Sequence, residues 1–182
     1  MTSYPLFFAA TLFAGGGAAH ADEGGDDISK IAVRNPTGEY WSVAESDDGE
    51  FRVFADAAQV GPAETFFIVA DEQERWRDGC LPNGARVLIK TGDSQPWSVS
   101  DRQLSVGTSS LAEAPEKAIF TLINETDAGR CFRYGDKLSI ISAEDYYLSA
   151  SPGGIVDADQ KQRGGWEVFD LVDPENPPPA SN

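Results

Sequence analysis

The chain has 182 residues, with 30 acidic and 14 basic side chains and a formal net charge of -16 at pH 7. That length suits one domain able to bury its own core. The charge argues against a nucleic-acid binder and against a polybasic membrane-surface protein, both of which need clustered Lys and Arg, and an aromatic content of 10% argues against wholesale disorder.

Residues 1–21 (MTSYPLFFAATLFAGGGAAHA) read as a signal peptide. An uncharged, mostly apolar run from Tyr4 to Ala14 is followed by Gly15, Gly16 and Gly17 and the small-residue exit Ala19-His20-Ala21. The run is too short to span a bilayer, and its leading end has no Lys or Arg. Cleavage after Ala21 would remove the only histidine, His20, and the only methionine, Met1. A chain without histidine cannot run a Ser-His-Asp or Cys-His mechanism and lacks the usual zinc and copper ligand sets. The predicted location is therefore secreted or periplasmic. A short acidic segment, residues 22–28, comes next.

Three windows then align without gaps: 31–43 (IAVRNPTGEYWSV), 87–99 (VLIKTGDSQPWSV) and 138–150 (LSIISAEDYYLSA). Each opens on an apolar strand, passes a polar turn and closes on a bulky residue, Ser and an apolar residue. The bulky column is Trp41, Trp97 and Leu148; the Ser column is Ser42, Ser98 and Ser149. Each window is followed by a further short strand, at 51–54, 104–106 and 155–156. After that comes a Phe-headed strand at Phe66, Phe120 or Phe169. Twelve short, evenly spaced strands separated by turn residues predict an all-β protein. The bulky column and the three Phe residues are the expected core.

Four strands in each of three copies resembles a β-trefoil. More narrowly, Gly38-Glu39-Tyr40-Trp41-Ser42-Val43, followed by Glu64-Thr65-Phe66-Phe67-Ile68-Val69, is similar to the repeat of the fascin-like (actin-crosslinking-like) trefoils. The second copy departs with Pro96 in the aromatic column, and the third has Asp145 where the first has Gly38. The resemblance covers residues 29–173. It implies three four-strand repeats, at about 29–79, 80–130 and 131–173, and a binding protein rather than an enzyme. Residues 174–182 (PENPPPASN) read as a disordered, Pro-rich tail.

Cys80 and Cys131 each lie seven residues before a window and four before a Gly, Gly84 or Gly135. They occupy equivalent connections, and in an oxidising compartment two such cysteines pair; two free buried thiols are the alternative if the leader stays on. The acidic runs around Asp47, Asp48 and Glu50 and around Asp71 and Glu72 lack the spacing of a calcium loop and read as solvated surface. No metal or cofactor is expected. The candidate ligand-binding residues flank the cysteines: Arg75, Trp76 and Arg77 before Cys80, and Phe132, Arg133 and Tyr134 after Cys131. Together they would form an Arg/aromatic rim at one end of the barrel, with loop packing as the plainer reading.

The resulting expectation is a monomeric, non-catalytic binding module whose partner is carbohydrate or a glycan-bearing surface, without nucleic-acid binding or membrane insertion. A protein-protein module is the alternative, either an adhesin or an inhibitor of a secreted enzyme presenting Cys80-Leu81-Pro82-Asn83-Gly84 as a stiff loop. Actin crosslinking, implied by the family name, is disfavoured by like charge, since actin is itself acidic.

Overall fold

The structure, a computed structural model, describes residues 28–70, 80–107, 115–150 and 154–179. The three windows fold alike at the level of single turns. Asn35, Thr91 and Ser142 each accept an amide proton from the residue three positions on, and each donates its own N–H to the carbonyl four positions on. The fourth residue of each turn sits in the left-handed region: Gly38 at φ 102°, Ser94 at 68° and Asp145 at 60°. Glycine enters that region freely, and a short polar residue enters it at some cost. The replacement of Gly38 by Ser94 and Asp145 in the later copies therefore leaves the turn intact.

Twelve strands are present among the described residues. They are β1 (Lys30–Arg34), β2 (Tyr40–Glu45), β3 (Phe51–Ala57), β4 (Phe66–Ala70), β5 (Ala85–Thr91), β6 (Trp97–Ser100), β7 (Gln103–Val106), β8 (Ile119–Asn124), β9 (Lys137–Ser142), β10 (Tyr147–Ala150), β11 (Val156–Gln160) and β12 (Phe169–Val172). Short 3-10 turns lie at Pro62–Glu64 and Pro115–Ala118. No helix among the described residues is long and apolar enough to cross a membrane.

All recorded strand pairings are antiparallel and join one sheet. Its path β1-β2-β3-β7-β11-β10-β9-β8-β5-β4 returns to β1 and closes a barrel of ten strands; β12 inserts between β1 and β9, and β6 pairs with β7. The expected β-trefoil with three four-strand repeats is corrected accordingly. The strands of each window do not form a self-contained unit; β3 pairs with β7, β7 with β11 and β8 with β9 across the window boundaries. The physical reason is that periodicity marks where a strand lies and which face it buries, whereas its neighbour is chosen by long-range closure.

The expected core residues are found there. Trp41, Trp97, Leu148, Phe66, Phe120 and Phe169 are all fully buried. Trp41 meets Phe169 edge-on at 4.5 Å between ring centroids, Trp97 meets Phe66 at 4.7 Å, and the two indoles lie 5.9 Å apart. Such edge-on pairs add to the burial itself.

Cys80 and Cys131 form a disulfide, with Cα atoms 5.5 Å apart and a sequence separation of 51. The C-terminal segment is not free as far as residue 179. Lys30 pairs with Glu175 at 3.0 Å, and the Tyr40 hydroxyl donates to the Pro178 carbonyl at 3.5 Å. Residues 180–182 of the predicted tail lie outside the described residues, as does the leader at 1–21.

Candidate functional site

Of the predicted Arg/aromatic rim, only Phe132, Arg133 and Tyr134 lie among the described residues. Arg75, Trp76 and Arg77 lie outside the described residues. Phe132 is fully buried in the core, so it offers no face to a ligand. The Arg133 amide donates to Asp136 Oδ2 at 2.8 Å. Tyr134 packs partly buried against the core, and its hydroxyl donates to the Lys30 carbonyl at 2.7 Å. The loop at 80–84, considered as an inhibitor loop, exposes Pro82 and Gly84 but is tied to its neighbours. Leu81 is buried and accepts the Phe132 amide at 2.8 Å, Asn83 Oδ1 accepts the Asn124 amide at 2.8 Å, and Gly84 donates to the Leu122 carbonyl at 2.8 Å.

A different surface carries site-like geometry. In strands β2, β6 and β10 the Ser column bonds across to the partner strand of its hairpin. Ser42 Oγ donates to Asp56 at 2.8 Å, Ser98 Oγ lies 3.4 Å from Ser105 Oγ, and Ser149 Oγ donates to Asp159 at 2.6 Å. Strand alternation then places Asp157 on the same side of β11 as Asp159, two residues away. Buried Val156 and Ala158 occupy the other side.

Two depressions on this surface share Ile155. One, of about 620 Å³, is lined by Glu45, Asp48, Arg52, Phe54, Gln103 and Ile155 among others. Its neighbour, of about 430 Å³, is lined by Ser149, Ile155, Asp157, Asp159, Gln160, Trp166 and Glu167. A bridge between Phe54 and Ile155 and the Asp157–Gln103 pair stitch β3, β11 and β7 beneath them. Trp166 is 42% exposed and Ile155 39%, both large for apolar side chains. The backbone holds Trp166 in place, because its carbonyl accepts the Ala150 amide at 3.0 Å. Next to it Glu167, nearly buried, accepts the Gly164 amide at 2.6 Å. A Cβ on Gly164 would stand 2.8 Å from that same Glu167 oxygen, so a larger residue there would push the carboxylate out of this position.

The electrostatics of the smaller depression are one-sided. Burial pushes the Asp157 carboxyl above the ordinary carboxylate value; the Leu104 amide bonded to it and the Arg52 charge pull the other way, and Asp159 adds to the rise. Arg52 itself lies on the larger depression and pairs with Asp48 at 2.7 Å and Glu50 at 3.3 Å. Among the described residues no group of three or more His, Cys, Asp and Glu side chains is arranged to hold a metal ion. The arrangement offers one flat aromatic face and a set of hydrogen-bond acceptors, which suits reversible binding of a small polar ligand.

Sequence reasoning missed this surface. Trp166 is one of four tryptophans and the one left without a role. Two signals were available: the alternation of 156–160, which puts both aspartates outside, and the Gly164-Gly165 pair before Trp166, which marks a tight turn presenting it.

No family model matches the chain, and no curated protein matches it. Solved structures do. A Caenorhabditis elegans protein of unknown function is similar with a TM-score of 0.65 at 14% identity, over 80% of this chain and 94% of that one. The SDF2-like protein from Arabidopsis thaliana is similar with a TM-score of 0.63 at 12% identity, over 79% and 91%. The Saccharomyces cerevisiae protein O-mannosyltransferase Pmt1-Pmt2 complex bound to the sugar donor is similar with a TM-score of 0.62 at 10% identity; the match covers 80% of this chain and only 25% of that one. At these identities the likeness concerns the fold alone. The fascin-like resemblance is corrected by it: its short motifs record which residues a closed barrel must bury, a requirement that unrelated sequences share. The chain is similar in fold to SDF2-like proteins.

Proposed function

We propose that this protein is a non-catalytic binding module that recognises carbohydrate through the Trp166 depression. The observation that carries the reading is a half-exposed indole beside Ser149, Asp157, Asp159, Gln160 and Glu167 in one hollow. A pyranose ring presents a C–H face that stacks on an aromatic plane and a rim of hydroxyls that donate to carboxylate and amide oxygens. The fixed Trp166 backbone and the bonded Ser149–Asp159 pair preorganise the hollow, which lowers the ordering cost of binding.

The setting is a secreted or periplasmic one. The disulfide supports it, because such bonds persist in oxidising compartments. The leader-like residues 1–21 support it independently.

The test is titration calorimetry and a glycan array with the purified chain and its Trp166→Ala variant. Loss of an aromatic stacking partner should weaken sugar binding by about 1–2 kcal/mol, roughly 5- to 30-fold, with the melting temperature almost unchanged. Sugar binding that survives the substitution intact would move the site elsewhere.

A further inference from the structure

We infer that the Trp166 depression selects sugars bearing a free amine, of the glucosamine type, over N-acetylated or neutral ones; this rests on the carbohydrate reading above. The hollow is lined by three carboxylates, Asp157, Asp159 and Glu167, and by no Lys or Arg. The hydrogen bonds recorded for them come from neutral donors: the Leu104 amide at 3.3 Å, the Ser149 hydroxyl at 2.6 Å and the Gly164 amide at 2.6 Å. None of the three forms an ion pair among the described residues.

The cations of the neighbourhood have ion-pair or ring partners of their own, although the Arg52 charge still reaches Asp157. Arg52 is held by Asp48 and Glu50, and Arg163 by Glu125. Arg102 and Lys161 lie over the Tyr146 ring at 5.1 and 4.7 Å. An ammonium group entering the hollow would therefore meet carboxylates whose charge is not already neutralised by an ion pair. The Trp166 face adds to the attraction, since an indole is the best aromatic partner for a cation. An N-acetyl group removes that charge and replaces it with a bulkier neutral amide. A carboxylated or sulfated sugar would meet the like charge of Asp157, Asp159 and Glu167.

The experiment compares glucosamine hexamer, N-acetylglucosamine hexamer and cellohexaose by calorimetry, each at low and high salt. The expected result is about tenfold tighter binding of the glucosamine hexamer at low salt, a preference that shrinks as salt screens it. Asp159→Asn keeps the acceptor for Ser149 and removes one charge, and Asp157→Asn does the same for Leu104; the pair together should bring the affinities for the glucosamine hexamer and cellohexaose level. Equal affinity for all three oligomers would overturn the amine selectivity and leave the carbohydrate reading standing. Binding of none of them would overturn both. A Lys-rich peptide bound as tightly as the glucosamine hexamer would overturn the assignment to a sugar.

Discussion

Removing the Cys80–Cys131 bridge should lower stability by a calculable amount. The bond closes a loop of 51 residues. Breaking it gives the unfolded chain back the loop-closure entropy, which for that length is about 4 kcal/mol at room temperature. Both sulfurs belong to half-buried residues, so replacing them with Ala adds little packing loss. The assay is urea unfolding of the Cys80→Ala/Cys131→Ala variant beside the oxidised and the reduced parent chain. The variant and the reduced parent should unfold at the same lower urea concentration, and their steeper dependence on urea should report a more expanded unfolded chain. For a domain of this size the melting temperature should fall by roughly 8–16 °C. A loss under about 1 kcal/mol would refute the reasoning, because it would mean the unfolded chain gains little freedom from the break.

Three further outcomes are expected. Phe120 is fully buried with its ring 6.4 Å from and perpendicular to the Trp97 indole, so Phe120→Ala should cost about 3–5 kcal/mol in urea unfolding; an unchanged midpoint would remove it from the core. Asp145 sits at φ 60° in the position that glycine fills in the first window, so Asp145→Gly should be neutral or stabilising by up to about 1 kcal/mol, and a clear destabilisation would break the equivalence of the turns. Burial holds the Asp157 carboxyl above its ordinary value, so the folded chain binds that proton more tightly than the unfolded chain does. The stability this contributes is full at low pH and is lost as pH rises through the raised value. Asp157→Asn should therefore be more stable than the parent near neutrality, and the difference should vanish below about pH 3, read as urea midpoints across that range. A parent that outlasts the variant at neutral pH would show that Arg52 outweighs the burial.

The two candidate sites differ in how they could be read from sequence. The rim at Phe132 and Tyr134 rested on aromatics near a cysteine, and composition cannot say which way a ring points. Phe132 follows a half-cystine that ties two connections together, and its ring is fully buried in the core. Trp166 lies between a Gly pair and the core residue Phe169; its exposure depends on the Gly164–Glu167 contact and on the bond from β10, both of which join residues only after folding.

Residue pattern by itself determined the all-β class, the strand positions, the three like turns, the buried aromatic and Phe columns and the cysteines as a pair. These follow from local chemistry: alternation sets which side is buried, and turn residues set where the chain reverses. Only the tertiary structure decided the order of strands around the closed sheet, the side of the sheet on which Asp157, Asp159 and Trp166 meet, and the burial of Phe132. Those are outcomes of long-range closure, in which β3, β7 and β11 come together from segments some fifty residues apart, and no window of sequence contains them.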